Sequence, residues 1–157
     1  MTYTIKRGRH YCNFTLGRLQ PFATKREGQV QIPLDNYYSK SLVQNSGWNK
    51  LTGVGQFFGV HTNSGRLVWQ PNFDKAGYFR IAGYIYDKGE RKEIEFANIK
   101  GGDWVDYSVK HKHGQWRFMI NGIAIRITGS KPLLPIKLFP YFGGKDSAYY
   151  KMKFKFI

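Results

Sequence analysis

The chain is poor in cysteine, in acid and in long apolar runs. Cys12 is the single cysteine among 157 residues. One thiol makes neither an internal disulfide nor a cysteine-based zinc site, so Cys12 is expected to be a small buried hydrophobe. Asp and Glu number 10 against 25 Lys and Arg, a net charge of +15. Such a field draws polyanions: nucleic acid, acidic polysaccharide or an anionic lipid surface. No apolar run approaches the roughly 18 residues of a membrane span, so none is expected. The opening MTYTIKRGRH has no apolar signal-peptide core. The chain is then expected to stay in the cytoplasm, to join a virion there, or to be secreted with its leader gone. No segment shows a convincing helical period.

Aromatic residues and glycine are abundant: 11 Tyr, 12 Phe, 4 Trp and 18 Gly. That is the vocabulary of strands and tight turns. Period-two segments recur from end to end. In YFRIAGYIYDKGERKEIEF, Phe79, Ile81, Gly83 and Ile85 share one face, and Tyr78, Arg80, Ala82, Tyr84 and Tyr86 the other. Asp87-Lys88-Gly89 turns the chain. In DWVDYSVKHKHGQWRFMINGIAIRI, His113-Gly114 and Asn121-Gly122 are hairpin turns, and Trp116, Phe118 and Ile120 form an inward row. Trp69, Trp104 and Trp116 are expected in the core, while Trp48 stands open between rim and core. The tail YYKMKFKFI sets three lysines against Met152, Phe154 and Phe156, the pattern of a guarded edge strand. Many short strands without crossover helices predict an all-β, antiparallel two-sheet sandwich. The length fits a single domain over residues 1–157.

GVHTNSGRLVWQPN, residues 59–72, concentrates polar chemistry. TNSG reads first as a turn, with RLVWQ as the returning strand. His61 and Arg66 then flank a hairpin loop that carries Asn63, where a ligand at the sandwich rim would meet all three.

Known catalytic patterns are mostly missing. There is no G-x-S-x-G elbow and no phosphate-cradling glycine loop before a helix, and no cofactor is expected. His111 and His113 lack an acidic or thiol partner nearby and read as a hairpin tip, so no metal site is expected. KEIEFAN resembles the E-I-D-x-E strand of laminarinase-type jelly-roll hydrolases through Glu93, Ile94 and Glu95. The position for that family's acid/base, however, is Ala97, and retaining hydrolysis needs two carboxylates. YFRIAGYIY is similar to the Y-F-K-A-G-V-Y-N-Q strand of jelly-roll alginate lyases, although it slips by one after Arg80 and no Gln follows. That resemblance implies His61 as base, Tyr86 as acid, and Arg66 or Arg80 on the uronate carboxylate.

Over nearly its whole length the chain resembles small β-sandwich proteins of gut Bacteroidetes and their phages and mobile elements. IKRGRHYC, GWNKLTGV, HTNSGRLVWQ, FRIAGYIYDKGER and LFPYFGGKDSA carry the likeness. It implies a concanavalin A-like, or laminin-G-like, jelly roll. The expectation drawn from all this is a lectin-like module that is not an enzyme. It would recognise a glycan or acidic polysaccharide through the outward row Tyr78, Arg80, Tyr84 and Tyr86 and the rim residues His61, Asn63 and Arg66. Aromatic faces pack on sugar rings, and Arg donates forked hydrogen bonds. The alternatives are a structural virion protein with virion or homo-oligomer partners, and a salt-sensitive binder of nucleic acid or other polyanions.

Overall fold

The computed structural model describes residues 1–13, 22–44, 47–143 and 145–157. Their strands form two antiparallel sheets. The six-stranded sheet runs β1 (Thr2–Ile5), β11 (Met152–Phe156), β2 (Lys25–Gln31), β7 (Trp104–Lys112), β8 (Gln115–Ile120) and β9 (Ile123–Thr128). The five-stranded sheet runs β10 (Pro135–Leu138), β3 (Asn49–Gln56), β4 (Asn63–Pro71), β5 (Tyr78–Asp87) and β6 (Glu90–Lys100). The only helical pieces among the described residues are 3-10 turns at Leu34–Asn36 and Lys40–Leu42. The fold is the concanavalin A-like, two-sheet jelly-roll sandwich that the alternation and the resemblance imply.

Alternation builds the core. Phe79, Ile81 and Ile85 of β5 point inward with Leu67 and Trp69 of β4, and meet Val105, Tyr107, Val109, Trp116 and Phe118 from the other sheet. Glycine lets the layers close. A Cβ on Gly65 would fall 2.2 Å from Cε3 of Trp116. At the tip joining β8 to β9, Asn121 and Gly122 take φ of 46° and 82°, as a two-residue hairpin turn requires.

Four expectations are corrected. Asn63, Ser64 and Gly65 belong to β4, not to a turn; the chain reverses over residues 57–62. Gly65 is small because Trp116 packs on it, not because the backbone turns there. Trp104 is 41% exposed. The inward phase of β7 falls on Val105, Tyr107 and Val109, which puts Trp104 on the outer face. β11 is no edge: it lies between β1 and β2, so its lysines coat a sheet face. Cys12 is only half-buried.

Candidate functional site

The outer face of the five-stranded sheet carries the cleft, about 970 Å³ in volume. Its rows follow from the register. Leu138, Gly53, Arg66, Tyr84 and Glu93 stand opposite one another across five strands. The next row holds Ile136, Gly55, Ser64, Tyr86 and Arg91. Two of these outward positions on β3 are glycine, so the sheet is hollow just where Arg66 and Tyr84 flank it. A Cβ on Gly53 would come within 3.0 Å of Arg66 Cγ and 2.2 Å of Gly65 O. A small apolar cluster of Val68, Ala82 and Tyr84, with Trp48 and Tyr86 against it, floors the adjoining part of the face.

Arg66 dominates the electrostatics. It is 7% exposed, lines the cleft, and its Nε has no hydrogen-bond partner. Among the described residues it makes no ion pair with a carboxylate. Burial pushes its guanidinium below the ordinary value. Charge of the same sign surrounds it. Lys50 Nζ donates to Trp48 O at 2.9 Å and to Gly143 O at 3.3 Å, and lies 5.6 Å from the Tyr84 ring. Burial, then the charges of Arg66 and Arg91, lower Lys50 to about 8. His61 is lowered by partial burial first and by Arg66 and Lys50 next. Its ring meets that of Tyr86 edge-on at 5.0 Å, and Tyr86 meets Tyr84 at 5.5 Å. Burial and a hydrogen bond with Tyr86 raise the Tyr84 phenol well above its ordinary value. The cleft therefore holds a buried cation, an imidazole biased toward its neutral form and a protonated phenol among its lining residues.

The structure brings together His61, Arg66, Tyr84 and Tyr86. It does not bring in the others. Arg80 is committed to Glu95, its Nε 3.0 Å from the carboxylate, and stacks on Trp48 at 5.6 Å. Tyr78 lies under Lys75 Nζ at 3.7 Å. Asn63 is a brace: Lys88 N–H donates to its Oδ1 at 3.0 Å, and its Nδ2 donates to Gln56 at 3.3 Å. Of the two arginines implied for a carboxylate, Arg66 alone makes no ion pair among the described residues.

The register of β6 settles the hydrolase resemblance. A bulge opposite Ile81 and Ala82 leaves Glu93 and Glu95 outward and turns Ala97 into the core. Glu93 is spent on Arg91 and Glu95 on Arg80. Among the described residues no three of His, Cys, Asp and Glu group as metal ligands, and no helix is long and apolar enough to cross a membrane.

Sequence reasoning misses Lys50, Trp48, Arg91, Tyr141 and Tyr11, all of which line the cleft. One signal was present: LTGVGQ sets Gly53 and Gly55 two apart on a strand, which hollows one face.

No family model and no curated protein matches the sequence. Solved structures match in fold. An alginate lyase from Alteromonas sp. 272 superposes with a TM-score of 0.57 at 11% identity, covering 98% of this chain and 75% of that one. A family 18 polysaccharide lyase gives 0.55 at 12%, covering 98% and 75%. A Bacteroides ovatus mixed-linkage-glucan family 16 glycoside hydrolase gives 0.55 at 13%, covering 99% and 80%. The chain thus has the expected jelly-roll sandwich, whereas no match of sequence ties it to the Bacteroidetes and phage proteins. The expectation that it is not an enzyme is overturned: the two lyases and the glycoside hydrolase that superpose on it are enzymes. A missing serine elbow and a missing carboxylate pair argue against two kinds of hydrolase, not against catalysis.

Proposed function

We propose that the cleft binds an acidic polysaccharide and cleaves it by β-elimination beside a uronate carboxylate. The observation that carries this reading is Arg66, a buried guanidinium with an unpartnered Nε and, among the described residues, no ion pair with a carboxylate, lining a cleft. A carboxylate would give it the forked, charge-assisted pairing that its surroundings withhold. Neutralising that carboxylate acidifies the proton on the adjacent ring carbon, C5. His61, its basicity lowered by burial first and then by Arg66 and Lys50, takes the C5 proton. The C5–H electron pair becomes the C4–C5 double bond, the C4–O bond breaks, and the departing oxygen receives the phenolic proton of Tyr86. Tyr84, its ring edge-on to Tyr86 at 5.5 Å and its phenol raised above the ordinary value by burial, positions it. No carboxylate pair and no metal is needed, in keeping with the residues present. The lyases among the fold's neighbours support the reading by architecture alone.

The test offers alginate, polygalacturonate and hyaluronan to the chain and follows the ultraviolet absorbance of the unsaturated product. Absorbance is expected to rise with at least one polymer. His61→Ala is expected to lower the rate by roughly 100-fold or more. Arg66→Met removes a buried charge, so it is expected to fold at least as stably as the parent and to be inactive. If no uronate polymer is cleaved, the catalytic reading fails. If every polyanion, DNA included, binds alike and is released by salt, the net charge alone is acting.

A further inference from the structure

The cleft continues past β3. Two single bridges extend the sheet there, Lys50 to Tyr141 and Tyr141 to Tyr11. Reciprocal backbone bonds hold the first: Tyr141 N–H to Lys50 O at 2.9 Å and Lys50 N–H to Tyr141 O at 2.8 Å. Directly opposed residues of antiparallel strands send their side chains to the same face. Tyr141 and Tyr11 therefore stand in line with Lys50 on the cleft side, and both line the cleft. Lys50 Nζ is 5.7 Å from the Tyr141 ring, and the Tyr11 and Tyr141 rings meet edge to face at 5.0 Å. From the other side His10 stacks on Tyr141 at 5.4 Å, its Nδ1 2.9 Å from Phe142 O. The inner tyrosine is fixed by these neighbours, whereas Tyr11 is 75% exposed. A phenol ring held against a fixed partner, with its remaining surface open, is shaped for stacking on something flat and apolar.

Resting on the acidic-polysaccharide reading, we infer that Tyr11 and Tyr141 form an outlying stacking subsite for the same polysaccharide chain. A distant sugar ring packs its C–H face on Tyr11 while the reacting uronate lies over Arg66. From the strand of Arg66 to the column of Tyr11 is three strand spacings, about 14 Å. A disaccharide anchored at Arg66 does not reach that far, but a longer oligomer does. Lys50 lies between the two, where carboxylates of the intervening units pass. The subsite makes the protein a reader of chain length: it adds affinity for long substrates and none for short ones.

The experiment is calorimetric titration of the chain carrying His61→Ala, which leaves the ligand uncleaved, with a disaccharide and a hexasaccharide of whichever of the three uronate polymers binds best; the further substitutions are made in that background. Tyr11→Ala, a change at an exposed position, is expected to weaken the hexasaccharide about fivefold to tenfold and to leave the disaccharide unchanged. Tyr11→Phe keeps the ring and is expected to keep the affinity. Arg66→Met is expected to weaken both lengths. If Tyr11→Ala binds the hexasaccharide as the parent does while Arg66→Met weakens both, the subsite is overturned and the reading of the cleft stands. If no uronate polymer binds, or if Arg66→Met changes neither length, that reading is overturned and the subsite with it.

Discussion

At Arg66 the fold buries a guanidinium, and no carboxylate among the described residues pairs with it. An uncompensated buried charge costs stability, and its neighbours add to the cost. Lys50 shows the same strain and titrates within reach. Its ordinary value is 10.5, and in the fold it lies near 8. Below about 8 both folded and unfolded chains carry the proton, so the fold bears the full penalty of the buried charge. Between about 8 and 10.5 the unfolded chain binds more protons than the folded one, and stability rises with pH. Lys50→Met removes that slope. The melting temperature of the parent is expected to climb relative to Lys50→Met across this window. A constant difference would show that Lys50 is an ordinary exposed lysine.

At the scale of elements, glycine decides how close the layers come and where the face is hollow. Gly65 takes no positive φ, so its smallness serves packing alone. Gly65→Ala drives a methyl into Trp116 and is expected to cost roughly 1–3 kcal/mol in a denaturant titration. A loss within experimental error would mean that Trp116 moves aside freely.

Much of this level is legible in the sequence. The two faces of β5, the Asn121-Gly122 turn and the inward row of β8 follow from alternation and turn chemistry, which are local. What escapes is non-local. Asn63-Ser64-Gly65 looks like a turn because nothing nearby tells that Trp116, from the other sheet, packs on that glycine. Trp104 looks like core because its size outweighs its phase. The lysines of β11 look like an edge because the sequence does not say that β1 and β2 flank it. The site divides in the same way. Arg66, Tyr84 and Tyr86 lie on the hairpin of β4 and β5 and His61 in the turn that leads into it, so they can be found together. Lys50, Tyr141 and Tyr11 reach the cleft only through pairings between segments far apart in the chain.

For the molecule as a whole, the charge of +15 and the cleft make separable contributions. The field acts on any polyanion, speeds encounter and fades as salt shortens its reach. A buried guanidinium is screened far less. A ligand held by Arg66 is therefore expected to stay bound at salt concentrations that strip DNA from the lysine-coated surfaces. The fold accounts for this division: one sheet shows lysines to solvent, and the other is hollowed by Gly53 and Gly55 over an arginine.

The most direct measurement compares affinity for a uronate oligosaccharide with affinity for its carboxyl-reduced, neutral twin at high salt, in the parent and in Arg66→Met. The account expects the parent to prefer the acid at least tenfold, and Arg66→Met to bind both forms equally weakly. Equal affinity in the parent, or a preference that survives in Arg66→Met, would contradict the assignment of Arg66 as the carboxylate's partner.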